Sequence, residues 1–135
     1  MTLDETRIRE LAAAYTAAWN SSSPDAVASF YAPDGQIVIN RGEPSVGRKG
    51  VSVMAAGFFA DVPDLRLVCD DVRCAGGHVA YFWTFTGTHA VTGNPLCVVG
   101  WEEWDLDADC QIVASRGWFD AADYERQTNA KRSRT

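Results

Sequence analysis

Apolar residues in the first twenty positions fall three and four apart. Ile8, Leu11, Tyr15 and Trp19 form one stripe, which predicts a helix over residues 2–20 with Thr2 and Glu5 at capping-box spacing. Asn20-Ser21-Ser22-Ser23 stops it. Ser23-Pro24-Asp25 then supplies a hydroxyl cap, a proline at the first helical position and an acid toward the positive helix end. A short second helix follows, with Val27, Phe30 and Tyr31 as its apolar side, and Pro33-Asp34-Gly35 reads as the turn that closes it. The β-branched run over 36–40 predicts a strand. Past a polar loop with Gly42, Pro44 and Gly47, the stripe Val51, Met54, Ala55, Phe58 and Phe59 predicts a third helix over 48–60.

From Pro63 the period drops to two. Segments 65–74, 78–89, 95–105 and 110–120 are β-branched and aromatic, and they are separated by Gly76-Gly77, by Thr92-Gly93-Asn94-Pro95 and by an acidic turn over 105–109. Helices followed by a strand meander make an α+β domain, with the helices on one face of an antiparallel sheet. A sheet with one wet face should alternate apolar with polar residues. Segment 78–89 instead has Val79, Tyr81, Trp83 and Phe85 on one side and Phe82 among threonines on the other. Segment 95–105 places Leu96, Val98 and Trp104 opposite Cys97, Val99 and Trp101. The helices cover one face, and the other is expected to join a second subunit, giving a homodimer.

With 135 residues, 47% of them apolar, the chain suits one domain, placed at 1–125. Residues 126–135 hold four of the twelve basic side chains and no acid, and read as a mobile tail. The other eight bases stand against eighteen acids, so nucleic acid is not an expected partner. The N-terminus lacks the basic-then-apolar pattern of an export signal, and no apolar run nears the roughly 20 residues that span a bilayer. A cytoplasmic location away from membranes is therefore expected, with Cys69, Cys74, Cys97 and Cys110 as reduced thiols. Their spacing, and that of His78 and His89, fits no metal site. There is no glycine-rich phosphate or dinucleotide loop, so no cofactor is expected.

The element order, Tyr31-Ala32-Pro33-Asp34-Gly35, Pro63-Asp64 before the long strands and Phe85-Thr86-Gly87-Thr88-His89 within them together resemble the nuclear-transport-factor-2-like superfamily. Within it, the chain resembles the SnoaL-like polyketide cyclase and ketosteroid-isomerase-like group, over residues 3 to about 125. The resemblance implies a cone: a curved antiparallel sheet, with three N-terminal helices on its concave face, around a deep pocket. It also implies dimers through the outer sheet face. Steroid isomerases of this fold use a helix-one tyrosine, an aspartate base ending the first strand and a protonated acid on the fourth strand. By the resemblance Tyr15 keeps the first place, while Ile39 and Gly100 hold the other two. The SnoaL group carries a pocket acid in the final strand. Here Ser115-Arg116-Gly117-Trp118 puts Gly117 at that place, with Asp120 the nearest carboxylate in sequence.

Strand parity and the resemblance together nominate the site. Catalytic candidates are His89, whose ring titrates near neutral pH, Glu102 and Tyr15. Glu102 shares the parity of Gly100 and faces either the pocket, where desolvation would raise its pKa, or the acidic hairpin edge. Tyr15 serves either as an oxyanion donor or as a core residue with its hydroxyl satisfied. His89 and Glu102 belong near opposite ends of one hairpin. The expected ligand-binding residues are Trp19, Phe30, Asn40, Phe58, Trp83, Phe85, Ser115, Phe119 and Asp120, with Val38 and Gly100 also lining the cavity. These predict a pocket for a small apolar, carbonyl-bearing or polycyclic ligand, with cofactor-free cyclisation, isomerisation or dehydration as the chemistry. The alternative is a ligand carrier or association module without turnover.

Overall fold

A computed structural model describes residues 4–131. Helix α1 (Glu5–Asn20) begins at Asp4, whose carboxylate accepts from the Arg7 N–H at 2.8 Å. The proposed Thr2 cap lies outside the described residues. Ile8, Ala12, Tyr15, Ala18 and Trp19 form the buried stripe of α1, with Leu11 at its margin. Helix α2 (Pro24–Ala28) starts as its sequence demands, with the Ser23 hydroxyl accepting from the Ala26 N–H.

The first strand departs from expectation. Tyr31 leaves α2 and opens β1 (Tyr31–Ile39), and Pro33-Asp34-Gly35 is an irregularity inside that strand rather than a turn after a helix. Proline lacks the N–H of a regular ladder and is tolerated at such a break. Gly35 lets the backbone pass, since a Cβ there would stand 2.6 Å from the Ile112 carbonyl oxygen. A two-residue strand β2 (Ser45–Val46) leads into α3 (Gly47–Asp61), and the meander follows as β3 (Arg66–Ala75), β4 (His78–Thr88), β5 (Pro95–Leu106) and β6 (Ile112–Phe119).

The six strands lie in the order β2-β1-β6-β5-β4-β3 in a curved, unclosed sheet. Consecutive strands of the meander are antiparallel, because each follows its neighbour through a hairpin. β1 and β6 run parallel, so the sheet is mixed rather than purely antiparallel. Their pairing joins strands far apart in sequence, and no hairpin imposes a direction on it. Asn20 ties α1 to the far edge by exchanging two hydrogen bonds with the Leu67 backbone of β3.

A final helix, α4 (Ala121–Asn129), occupies part of the segment expected as tail, and the expected boundary at 125 falls inside it. The Asn94 amide donates to the carbonyls of Gln127, Thr128 and Ala130, while the Gln127 side chain exchanges two bonds with the Cys97 backbone. Residues 132–135 lie outside the description. No helix among the described residues is long and apolar enough to cross a membrane. The outer sheet face leaves Val68, Val99, Trp101 and Val113 exposed, with Trp101 stacked on Trp118 at 5.6 Å. Arg116, on the same face, pairs with Asp105 of its own chain.

Candidate functional site

Alternation along the strands decides which side chains meet the helices. On β5 the even positions Leu96, Val98, Gly100, Glu102 and Trp104 point inward, and on β4 the odd positions Val79, Tyr81 and Phe85 do the same. Each cross-strand rung therefore has a defined content. One runs Trp83–Gly100–Phe119; the next runs Tyr81–Glu102–Gly117–Ile39 and the next Val79–Trp104–Ser115–Ile37. On the first rung the Trp83 indole folds onto Gly100, where a Cβ would be 2.5 Å from the ring and from the Trp118 carbonyl oxygen.

Between this concave face and the helices lies a cavity of about 70 Å³, room for about five waters at roughly 10–15 Å³ each. Trp83, Phe85 and Phe119 of the sheet, Trp19 of α1, Phe58 of α3 and Tyr124 of α4 supply an aromatic wall. Ile37, Ile39, Met54, Leu65, Leu67 and Val98 add aliphatic surface. Among the described residues, Glu102 is the one ionisable acid or base that lines the cavity apart from the Tyr124 phenol.

Glu102 is only 6% exposed, and its two carboxyl oxygens are treated unequally. Oε1 accepts from the Ser115 hydroxyl at 2.9 Å, the Trp104 indole at 3.3 Å and the Tyr15 hydroxyl at 3.3 Å. Oε2 has no hydrogen-bond partner among the described residues. Burial pushes the carboxyl pKa up, the three donors pull it down, and the net direction is upward. Burial likewise holds the Tyr15 and Tyr31 phenols well above their ordinary range, so they stay protonated. Their hydroxyls lie 3.1 Å apart.

Of the residues singled out from sequence, Trp19, Phe58, Trp83, Phe85, Phe119 and Glu102 do line the cavity. Tyr15 and Ser115 sit behind its wall and act on it through Glu102. Phe30 is a further layer back, edge-on to Tyr15 at 5.6 Å. Val38 and Asn40 are out of phase, because Ile37 and Ile39 are the inward residues of β1. Asn40 instead adopts a positive φ of 51° and closes the strand end, its side chain accepting from the Phe119 N–H. Gly100 is buried under Trp83 and is not a lining residue. Asp120 caps α4 by accepting from the Asp123 N–H and does not reach the cavity.

His89 lies beyond the end of β4, where its Nδ1 accepts from the Val91 and Thr92 N–H groups of the turn. It stands eight residues from Tyr81, the rung partner of Glu102, or about 26 Å along an extended strand. The two are not brought together. Glu102, by contrast, is the rung partner of Gly117, and its Cγ lies 3.4 Å from where a Gly117 Cβ would stand.

The sequence reading missed Tyr124, whose helix shows only one aromatic in a polar segment. Its signal was the Asp120–Asp123 cap. Also unforeseen is a set of unsatisfied polar atoms: Trp19 Nε1, Trp83 Nε1 and the Tyr124 hydroxyl are buried without a hydrogen-bond partner. All three residues line the cavity. Buried polar groups are nearly always paired, so this cluster marks a place where a ligand or water completes the bonding.

The model of the SnoaL-like polyketide cyclase family matches residues 9–128. Similar solved structures include a hypothetical protein of ketosteroid isomerase-like fold from Catenulispora acidiphila, in complex with trimethylamine. It is 21% identical with TM-score 0.83, over 90% of this chain and 94% of that one. A candidate SnoaL-like polyketide cyclase from Jannaschia is 18% identical with TM-score 0.84, over 95% of each chain. TsrD from Streptomyces laurentii is 20% identical with TM-score 0.82, over 96% and 99%. These likenesses concern the fold. No curated protein matches the sequence at a significant level.

Proposed function

The chain belongs to the SnoaL-like polyketide cyclase family, and we propose that it binds a small, largely apolar, carbonyl-bearing ligand and acts on it with Glu102 as general acid. The observation that supports this is the asymmetry of the Glu102 carboxyl. One oxygen is anchored by three donors, the other is unpartnered at the cavity wall, and burial favours the protonated form. A protonated carboxyl there donates from Oε2 to a ligand oxygen. As the proton moves, negative charge grows on the carboxyl, and the bonds from Ser115, Trp104 and Tyr15 strengthen around it without reorganisation. The carboxylate then takes a proton back. Enolisation, dehydration and ring closure onto an activated carbonyl all fit this cycle. Tyr15 is a positioning residue in this reading, and His89 takes no part.

An apolar aromatic wall with few polar groups suits such a ligand; at about 70 Å³ the cavity is smaller than the roughly 150 Å³ that holds benzene, so a ring enters as the lining side chains give way. An aromatic cage around a carboxylate also suits an ammonium ion, the chemistry of the trimethylamine held by the Catenulispora protein. That rival needs Glu102 ionised and leaves the unpaired indole donors unpaired, so the neutral ligand is favoured. The outer sheet face, with Val99 and the Trp101–Trp118 stack, is assigned to a second copy of the chain.

Deuterium exchange at C2 of 1-indanone in D2O, followed by NMR, tests the reading. Wild-type protein accelerates exchange, and Glu102→Gln lowers that acceleration at least tenfold. Equal exchange with both proteins contradicts the assignment of the acid.

A further inference from the structure

We infer that Gly117 is the specificity-determining position of the cavity: its missing side chain leaves a notch above Glu102 in which a neutral ligand seats the oxygen that meets the acid. This rests on Glu102 being the acid, and it adds where the ligand docks and what kind of ligand can.

Most glycines of the sheet are explained by crowding. A Cβ at Gly35 would meet the Ile112 carbonyl oxygen at 2.6 Å, and one at Gly100 would meet Trp83 and Trp118 at 2.5 Å. A Cβ at Gly87 would collide with Val62. Gly117 differs in every respect. The nearest atoms to its Cβ position are Glu102 Cγ at 3.4 Å, then Ile39 Cγ1 and the Trp101 carbonyl oxygen at 3.9 Å, all ordinary contact distances. Its φ is not positive, so the backbone does not require glycine. Glycine weakens a strand, and within one it often marks the close approach of a ligand. Gly117 faces the cavity and is the rung partner of Glu102, so the volume it leaves open adjoins the acid's own stem.

The ligand's chemistry follows from the polar atoms still unpaired in the cavity that Gly117 also lines. The Trp19 and Trp83 indole nitrogens can only donate, the Tyr124 hydroxyl can donate, and a protonated Glu102 donates from Oε2. Among the described residues no cationic side chain lines the cavity. A molecule offering acceptors and no charge, such as a ring ketone, satisfies these groups. An ammonium ion offers no acceptor, and an anion meets no countercharge.

The test compares three probes on one skeleton: 1-indanone, indane and 1-aminoindane. Each is titrated into 15N-labelled wild type, Gly117→Ala, Gly117→Val and Glu102→Gln, and read from the tryptophan indole N–H resonances. Wild type binds 1-indanone more tightly than either relative and shifts the Trp19 or Trp83 resonance. Gly117→Val weakens 1-indanone at least tenfold and Gly117→Ala severalfold, while the melting temperature of Gly117→Ala stays at or above that of wild type. Should valine disrupt the sheet, the alanine variant decides. Undiminished ketone binding by folded Gly117 variants overturns the inference. So does stronger binding of 1-aminoindane, or no ketone binding by wild type. Glu102→Gln separates the two proposals: it keeps a neutral donor at the notch and therefore binding, while exchange at C2 falls. If Glu102→Gln exchanges like wild type but Gly117→Val still loses the ketone, the acid falls and the notch stands.

Discussion

Replacing Glu102 by glutamine should stabilise the protein near neutral pH. The amide keeps the shape, its carbonyl still accepts from Ser115, Trp104 and Tyr15, and its NH2 occupies the place of the unpartnered Oε2. What it removes is a proton equilibrium. In the unfolded chain Glu102 titrates near its ordinary value of 4.5, whereas in the folded protein burial raises that value. Between the two, the native state binds more protons than the unfolded state, so wild-type stability falls as pH rises through this window. The loss is about 1.4 kcal/mol per pH unit until the folded pKa is reached. The Glu102→Gln variant has no such loss. Urea unfolding of both proteins at pH 4, 5, 6, 7 and 8 gives the difference directly. The two should agree within about 1 kcal/mol at pH 4, the ordinary net worth of a neutral hydrogen bond. The variant should then gain up to about 1.4 kcal/mol per unit above pH 4.5, levelling off where the folded carboxyl ionises. An ionised native carboxylate predicts the opposite. Its three charge-assisted bonds would contribute about 1.5–3 kcal/mol each, and Glu102→Gln would be destabilised by several kcal/mol at pH 6–8. That result would refute the neutral acid.

Tyr15→Phe removes one donor to Glu102 and the partner of the Tyr31 hydroxyl. It should destabilise by about 1–3 kcal/mol in urea and raise the Glu102 pKa further, so the alkaline limb of the exchange-rate pH profile moves up. A downward move would show that Tyr15 does not hold the carboxylate form. Gly100→Ala forces the Trp83 indole and the β6 backbone apart and should cost about 1–3 kcal/mol for overpacking. An unchanged urea midpoint would mean the indole does not lie on that glycine. On the outer face, Trp101→Glu places a charge on the Trp101–Trp118 stack. Sedimentation equilibrium should show a wild-type dimer and at least tenfold weaker association in the variant. A wild-type monomer would remove the outer-face assignment.

Most of the architecture was legible from hydrophobic spacing because α1, α3 and the meander each bury one consistent face. The segments that escaped have local chemistry at odds with their tertiary role. Pro33-Asp34-Gly35 has turn composition, but pairing with β6 absorbs it as an irregularity within β1, and that shift also put the parity of Val38 and Asn40 wrong. The parallel β1–β6 pairing joins segments about eighty residues apart, and no local pattern records it. α4 is polar apart from Tyr124 and is held by the Asn94 side chain of the β4–β5 connection and by the Cys97 backbone of β5. The orientation of Glu102 could be read from alternation with Leu96, Val98 and Gly100, although four acids crowd the seven positions after it. The roles of Tyr15 and Ser115 as its anchors needed the rungs of the sheet. His89 looked chemical because of its residue type, but its position beyond the strand end assigns its ring to a turn.

The most direct test of the account is the protonation state of Glu102. The 13Cδ resonance of glutamate, assigned by its loss in Glu102→Gln, reports that state during a pH titration. The account predicts a midpoint above the ordinary 4.5, with a further rise in Tyr15→Phe. A midpoint at or below 4.5 would contradict it.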